Sequence, residues 1–258
     1  MRLTAAAPDR DPDASGPSLP EPDTDERRRL KLAGLMEETA PAARAREARA
    51  AVLPVLKPLR PLLPHGGLAK GTVTEAPDMS LLLALAAGPA TADPHAWTAV
   101  VGLPDLGLAA AAGYGHDLRR LVVADHPGDD HYAEVLTALA AACPVILASA
   151  PPRRLPPRTA DRLAAHLRRA GTILITPGPW PGAQLRLEVT AKEWIGLGDG
   201  WGQLDGRRVE VRASGRGSAA RPRRAELWLP DGAGGVSPAT ASQTVASGTV
   251  SGAVAAPA

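Results

Sequence analysis

Short apolar runs alternate with segments of helical periodicity through the middle of the chain, from about residue 71 to residue 176. Runs rich in Val, Ile and Leu are typical of buried strands, whereas apolar positions three and four apart are typical of helices. The pattern predicts strands at 71–76, 97–102, 121–124, 144–148 and 172–176, and helices at 80–87, 106–113, 129–142 and 159–171. Alternating strands and helices imply a parallel sheet with helices on both faces.

Polar residues are expected at the N-termini of the third and fourth predicted helices. Asp129 or Asp130 is expected to cap the third helix, and Thr159 the fourth.

After residue 176 the apolar positions alternate with polar ones at 184–196, 207–213 and 224–229, with glycine-rich segments between them. This alternation predicts antiparallel strands. We therefore expect a parallel α/β core with an antiparallel extension at its C-terminal side.

Composition divides the chain into four parts. Residues 1–24 are an acidic, proline-rich segment that is expected to be disordered, because it cannot bury enough apolar area. Residues 25–54 are predicted to be an N-terminal helical segment, interrupted near Pro41. Residues 55–230 form the predicted core, and residues 231–258 a flexible Gly/Ser/Ala tail.

The 258 residues carry a net charge of +2 and include a single cysteine, Cys143. One cysteine excludes an internal disulfide and a thiolate metal cluster. The N-terminus is unlike a secretory signal, and no apolar run approaches the roughly 18 residues that span a bilayer. We expect a cytoplasmic protein with no membrane contact, and association with the nucleoid is an alternative.

Motifs for phosphate and metal chemistry are missing. The closest match to a phosphate loop, GGLAKGT at 66–72, has its lysine in the wrong place and precedes a strand instead of following one, so a turn is expected. The glycines between 196 and 202 lie between strand-like sequences and predict a hairpin loop. His126 and His131, with Asp125, Asp129 and Asp130, have no spacing typical of a metal site and are interpreted as a surface loop. No cofactor is expected.

Arginine is concentrated in two places. Residues 207–224 contain seven arginines and one glutamate, and tryptophans flank them. We predict that this region binds a partner, through Trp201, Arg207, Arg208, Arg212, Arg216, Arg221, Arg223 and Arg224. A second set could contact nucleic acid, namely Arg153, Arg154, Arg158, Arg162 and Arg169. The alternative for both sets is a solvated arginine-rich face.

The stretch LRPLLPHGGLAKGTVTEA (59–76) resembles the segment that leads into the phosphate loop of RecA-type proteins. The order of elements in 97–123 and the strand CPVILASA (143–150) are similar to the RecA core. RRVEVRASGRGSAARPRRAELWL (207–229) resembles its closing strand pair. Together these matches cover roughly residues 55–230 and imply a RecA-like fold.

The resemblance also implies that ATP chemistry has been lost. The phosphate loop of RecA falls on APDMSLLLALAAG (76–88), which lacks its glycines, lysine and Ser/Thr. The catalytic glutamate falls on Leu103 and the magnesium-side aspartate on Ala148. The two lysines that reach a neighbour's ATP fall near Ala213 and Gly215. The two DNA-binding loops are shortened to PPRRLPP (151–157) and PGPWPGA (177–183).

This degenerate pattern is similar to the ImuA-type proteins, especially their shortened actinobacterial form. The resemblance implies a non-enzymatic role in SOS mutagenesis and translesion synthesis after DNA damage. Its implied partners are the polymerase homologue ImuB and an error-prone DnaE-type polymerase, with weak or no direct DNA binding. One alternative is a recombination mediator that binds DNA through the arginine surfaces. The other is an ATPase with divergent motifs.

Overall fold

A nine-stranded mixed sheet runs through the described part of the computed structural model, which comprises residues 51–150, 155–198 and 201–239. A separate antiparallel ribbon precedes it, made of β1 (Val52–Pro54) and β2 (Gly67–Ala69). The strands of the large sheet are β3 (Val73–Glu75), β4 (Thr98–Val101), β5 (Leu121–Ala124), β6 (Val145–Ala148), β7 (Ile173–Thr176), β8 (Leu185–Gly198), β9 (Trp201–Gly215), β10 (Arg223–Trp228) and β11 (Ser237–Pro238). Their order is β11-β10-β9-β8-β3-β7-β6-β4-β5.

Four α-helices connect or flank these strands within the described residues. They are α1 (Met79–Ala92), α2 (Leu108–Gly113), α3 (Tyr132–Ala140) and α4 (Pro157–Ala170). Short 3₁₀ turns occupy Lys57–Leu62, Pro64–Gly66, Leu118–Arg120 and Gly217–Ala219.

The strand directions confirm the predicted fold class. Strands β3 to β7 pair in parallel, and β8 joins them through a short parallel pairing with β3. From β8 onward the strands pair antiparallel. The architecture expected from the sequence, a parallel sheet flanked by helices with an antiparallel extension at its C-terminal side, is therefore the observed one.

The core lies on both faces of the sheet because successive strand residues point to opposite sides. In β7, Ile173 and Ile175 belong to one apolar cluster and Leu174 to the other. The first cluster contains α1, α2 and the apolar face of the antiparallel strands, and the second contains α3 and α4. Every residue from Leu81 to Pro89 of α1 is buried. At Gly88 an added Cβ would lie 2.3 Å from the Cα of Val55, so only glycine permits this close approach.

Two predicted segment boundaries are wrong. Residues 52–54, expected in the N-terminal helical segment, form β1 and pair with β2. Residues 231–239, expected in the flexible tail, return to the sheet. There, Asp231 accepts hydrogen bonds from the N–H groups of Ala233 and Gly235, and β11 pairs with β10. Residues 1–50 and 240–258 lie outside the described part of the chain.

The predicted helix caps also need correction. The N-cap residue of α3 is His131, not Asp129 or Asp130. The N-cap residue of α4 is Pro156, and Thr159 lies inside the first turn. Proline fits the first turn of a helix because its missing N–H would have no partner there. Residues 67–69, predicted as part of a turn, form β2, and only Lys70 and Gly71 make the turn. The glycine-rich loop at 196–202 is the expected hairpin between β8 and β9.

Candidate functional site

The connection between β3 and α1 is only three residues long, 76–78, and its last residue, Asp78, is a half-buried acid. Asp78 is the N-cap of α1, and its Oδ1 accepts a hydrogen bond of 3.1 Å from the N–H of Leu81. Arg207 on β9 donates to both carboxylate oxygens of Asp78, each at 2.8 Å. A carboxylate therefore occupies the N-terminus of the first core helix.

Arg207 is fixed from three directions. Its Nε donates to the carbonyl oxygen of Leu229 at 2.7 Å, and its guanidinium lies 5.4 Å from the centre of the Trp194 ring. Only 6% of Arg207 is exposed. The prediction that Arg207 is an exposed partner-binding residue is therefore wrong, because its guanidinium serves a buried ion pair.

This arrangement leaves no place for a phosphate group at α1. A phosphate loop wraps its backbone N–H groups around the anion at a helix N-terminus, and that requires a glycine-rich segment of eight residues. Here the equivalent connection has three residues, and its helix already binds the carboxylate of Asp78. Burial alone would raise the pKa of Asp78. The hydrogen bonds from Arg207 and from the N–H groups of Leu81 and Ser80 outweigh burial and hold that pKa below its ordinary value of 3.8.

The two positions at which the resemblance predicted lost acids lie side by side at the carboxyl edge of the sheet. Ala148 ends β6 opposite Val101, the last residue of β4, and Leu103 follows Val101 after one intervening glycine. Ala148 is fully buried and Leu103 is 8% exposed. Neither side chain can bind a metal ion or accept a proton, so these positions supply no acid–base chemistry.

Aromatic side chains fill the crevice beyond these strands. His126 stacks on Tyr132 at 5.1 Å between ring centres, and Trp180 lies 6.3 Å beyond Tyr132. The hydroxyl of Tyr132 donates to the carbonyl oxygen of Ser149. In open α/β sheets the crevice between strands whose connections run in opposite directions is the usual ligand site. Between β4 and β6 that crevice is occupied by side chains of the protein itself.

Glu75 is a buried acid that the sequence reasoning missed. It ends β3, is 8% exposed, and accepts hydrogen bonds from the N–H of Trp180 at 2.7 Å and from Nη1 of Arg186 at 2.9 Å. Each carboxylate oxygen thus holds a partner from a different element. The only signal in the sequence was an acid at the end of a buried strand. Its contacts fix the loop at 177–183, and Trp180 turns inward with 7% exposure.

The remaining arginines of 207–224 divide into paired and unpaired groups. Arg208 contacts Glu226 at 2.5 Å, and Arg224 contacts Glu210 at 3.5 Å, both across neighbouring strands. Three of the seven arginines are thus in ion pairs, counting Arg207. The others show no ion pair within the described residues: Arg212, Arg216 and Arg221 are exposed and Arg223 is half-buried. The side chain of Trp201 lies outside the described residues.

The hairpin of β8 and β9 extends past the pairing of β9 with β10, which ends at Arg208. On this extension Trp194 is 49% exposed and Leu204 is 48% exposed. Trp194 and Leu204 are therefore two exposed apolar side chains on this extension, and both are candidate anchors for a partner.

Helix α4 has an exposed basic face. Arg158, Arg162 and Arg169 face solvent, while Leu163 and Leu167 are buried. Arg153 and Arg154, the other members of the predicted nucleic-acid contact, lie outside the described residues. In the described part of the chain no group of three or more His, Cys, Asp or Glu could hold a metal ion, and no helix is long and apolar enough to cross a membrane.

Comparison with known proteins identifies the family to which the chain belongs. Over 145 residues the chain is 34% identical to "Uncharacterized protein Rv3395c" of Mycobacterium tuberculosis, and the match covers 53% of this chain and 70% of the mycobacterial protein. The chain belongs to the Rv3395c family. The family model "MT3502 N-terminal domain" matches residues 61–182.

The region matched by the family model has a clear structural meaning. Residues 61–182 contain β2 and also β3 to β7 with all four described helices, which form the parallel α/β core. The antiparallel strands β8 to β11, including Arg207, lie beyond it. In this member of the Rv3395c family, the Asp78 carboxylate at the N-terminus of α1 is thus bound by Arg207, which lies outside the region that the family model matches.

A solved structure, "Crystal structure of the RadB recombinase", is similar in outline. The similarity has a TM-score of 0.48 at 15% sequence identity, and it covers 70% of this chain and 96% of the RadB chain. At this level of similarity, the RadB structure indicates nothing about ligands or partners.

Proposed function

We propose that this protein is a non-catalytic, RecA-like accessory protein in DNA-damage-induced mutagenesis and translesion synthesis. It acts through contacts with an ImuB-type polymerase homologue and, through that partner, with an error-prone DnaE-type polymerase. The observation that carries the proposal is the carboxylate of Asp78, held by Arg207 at the helix N-terminus where a nucleotide phosphate would bind.

Phosphoryl transfer has three separate requirements, and we infer that this chain meets none of them. Such enzymes need a phosphate cradle, a metal ligand and a group that orients the nucleophile. Here Asp78 fills the cradle, and the two acidic positions hold the apolar residues Ala148 and Leu103. A chain that keeps the fold without this chemistry has its surfaces free for partners.

The antiparallel extension offers the partner surface. Strand β8 pairs with β3 only through Leu185 and Arg186, so farther along β8 the side facing α1 lies open. A groove of about 470 Å³ follows this open side, between Pro77 and the polar residues Glu188 and Lys192. The exposed Trp194 continues along the same strand. Aromatic anchors beside charged residues are typical of binding hot spots.

Capture of the full chain by an immobilised ImuB-type protein tests the proposal. We expect binding by the unmodified chain and a loss of affinity of about tenfold or more in the Trp194→Ala, Leu204→Ala double variant, because apolar anchors dominate interface energies. Val123→Ala is the matched control, since Val123 is 58% exposed on β5, the last strand at the other end of the sheet. Point variants are preferable to removal of residues 207–258, because Arg207 and β9 support the core.

Failure of the unmodified chain to bind the ImuB-type protein would contradict the proposed function. Undiminished capture of the double variant would show that Trp194 and Leu204 do not form the contact surface. The ImuB-type protein would still be the partner.

The exposed basic face of α4 favours a second candidate, a recombination mediator that binds DNA. Arginines that neutralise phosphates give an affinity that falls steeply with salt. Fluorescence anisotropy with a short single strand measures this affinity at low and moderate salt. Under the main proposal, binding is weak, and changing Arg158, Arg162 and Arg169 to Ala lowers the salt dependence without unfolding the chain. Submicromolar affinity that persists at physiological salt would favour the mediator.

A further inference from the structure

Trp194 and Arg207 face each other at the base of the hairpin formed by β8 and β9. They are direct cross-strand partners in the register of these strands, and such partners point to the same side of the sheet. The guanidinium carbon of Arg207 lies 5.4 Å from the centre of the Trp194 ring. Through its N–H groups the same guanidinium donates to both carboxylate oxygens of Asp78. One arginine therefore contacts both the hairpin and the N-terminus of α1.

The side chains in this contact differ in their exposure to solvent. Trp194 is 49% exposed, whereas the side chain of Arg207 is 8% exposed and that of Asp78 is 19% exposed. A half-exposed tryptophan ring therefore packs on an arginine that is almost wholly buried. Attraction between an aromatic ring and a cation is stronger when the cation is removed from water. The attraction between Arg207 and Asp78 is stronger for the same reason, because a lower effective dielectric screens the two charges less.

The hairpin beyond Trp194 and Arg207 has no third strand beside it within the described residues. Strand β10 pairs with β9 only as far as Arg208, and β3 pairs with β8 only at Leu185 and Arg186. A two-stranded ribbon is marginally stable by itself. Contacts at the base of the hairpin therefore determine how firmly it is held.

We propose that Trp194 is a positioning residue for the buried ion pair. Its ring holds the guanidinium of Arg207 against Asp78, and this contact couples the hairpin to the N-terminus of α1. A partner that draws the ring into a pocket of its own exposes Arg207 to water and weakens the pair with Asp78. Because coupling free energies are reciprocal, an intact pair also opposes that displacement of the ring. The use of this coupling in partner binding rests on the proposed function, whereas the coupling itself rests on contacts within the chain.

Urea denaturation of the full chain tests the contact between Trp194 and Arg207. We expect Trp194→Leu, which keeps an apolar side chain but removes the ring, to raise the equilibrium constant of unfolding about fivefold. Trp194→Phe keeps a ring and should recover most of this loss. Leu204→Ala is the matched control, because Leu204 is 48% exposed on the same hairpin, and it should change the constant about twofold or less. An unchanged constant in Trp194→Leu, or equal losses in the Leu and Phe variants, would overturn the proposal.

Amide hydrogen exchange, followed by NMR, tests whether the coupling reaches α1. The N–H of Leu81 donates to Oδ1 of Asp78, so its exchange rate reports on that carboxylate. The N–H of Thr159 lies at the equivalent position of α4 and donates to the carbonyl oxygen of Pro156, which makes it the internal reference. We expect exchange in Trp194→Leu to be about fivefold faster at Leu81 and unchanged at Thr159, because helix ends exchange through local opening.

Neither measurement uses a partner, so both outcomes are independent of whether the proposed function holds. Exchange at Leu81 that stays at the rate of the unmodified chain, or that accelerates equally at Leu81 and Thr159, would overturn the coupling.

Discussion

The ion pair between Asp78 and Arg207 predicts a large and specific loss of stability. In Asp78→Ala, the guanidinium of Arg207 stays buried without its carboxylate, and α1 loses its N-cap. Removing one partner of a buried pair typically costs about 3–5 kcal/mol. Loss of an N-cap costs about 1 kcal/mol. The two effects share one carboxylate, so we expect a total of about 3–5 kcal/mol in the free energy of unfolding.

Urea denaturation of the full chain, followed by far-UV circular dichroism, measures this cost. Arg224→Ala is the matched control, because its contact with Glu210 joins side chains that are 65% and 35% exposed. Exposed pairs of this kind contribute about 0–1 kcal/mol. The double variant Asp78→Ala, Arg207→Leu should recover part of the loss, since it removes the unpaired charge.

The same pair has a pH dependence of known sign. The pKa of Asp78 lies below its ordinary value of 3.8, because Arg207 and two backbone N–H groups bind the charged form. Its stabilisation is therefore complete above the unfolded-state pKa and is lost as the pH falls through the lower pKa of the folded state.

An Asp78→Ala variant whose free energy of unfolding falls by less than about 1 kcal/mol would refute the ion pair as a determinant of stability.

Two further predictions concern the core. Gly71→Ala should lower the free energy of unfolding by at least about 1 kcal/mol, because φ at residue 71 is +72° and the new Cβ would lie 2.5 Å from the Cα of Arg168. Thermal denaturation measures this loss. Gly128→Ala is the control and should lose less, because φ there is also positive but no atom lies within 4 Å of the new Cβ. Burial lowers the pKa of His116, although its Nε2 lies 3.0 Å from the carbonyl oxygen of Leu83. Stability should therefore fall as the pH drops from the ordinary value of 6.5 towards the lower folded pKa, and His116→Gln should remove that slope.

The parallel core could be predicted from the sequence because its signals are local. Each buried strand is a short apolar run, and Leu121–Ala124 is observed with the predicted bounds. The breaks in pattern after each run identified the helices, and the glycines at 196–202 identified the hairpin.

The candidate site could not be predicted because its contacts are long-range. Asp78 and Arg207 are 129 positions apart, and nothing in the local sequence distinguishes Arg207 from the exposed Arg208 beside it. Glu75 and Trp180 are 105 positions apart, and their contact depends on how the loop at 177–183 packs. Arg207 is buried because β9 places it beside the N-terminus of α1, and that placement depends on how the whole sheet is assembled.

A calorimetric titration of the full chain with ATP and magnesium measures whether nucleotide binding has been lost. Because the carboxylate of Asp78 fills the anion position of α1, and Leu103 and Ala148 replace acids, we expect no heat of binding and no hydrolysis. Saturable binding at micromolar ATP that is lost on substitution within residues 76–82 would show that α1 still binds a phosphate group.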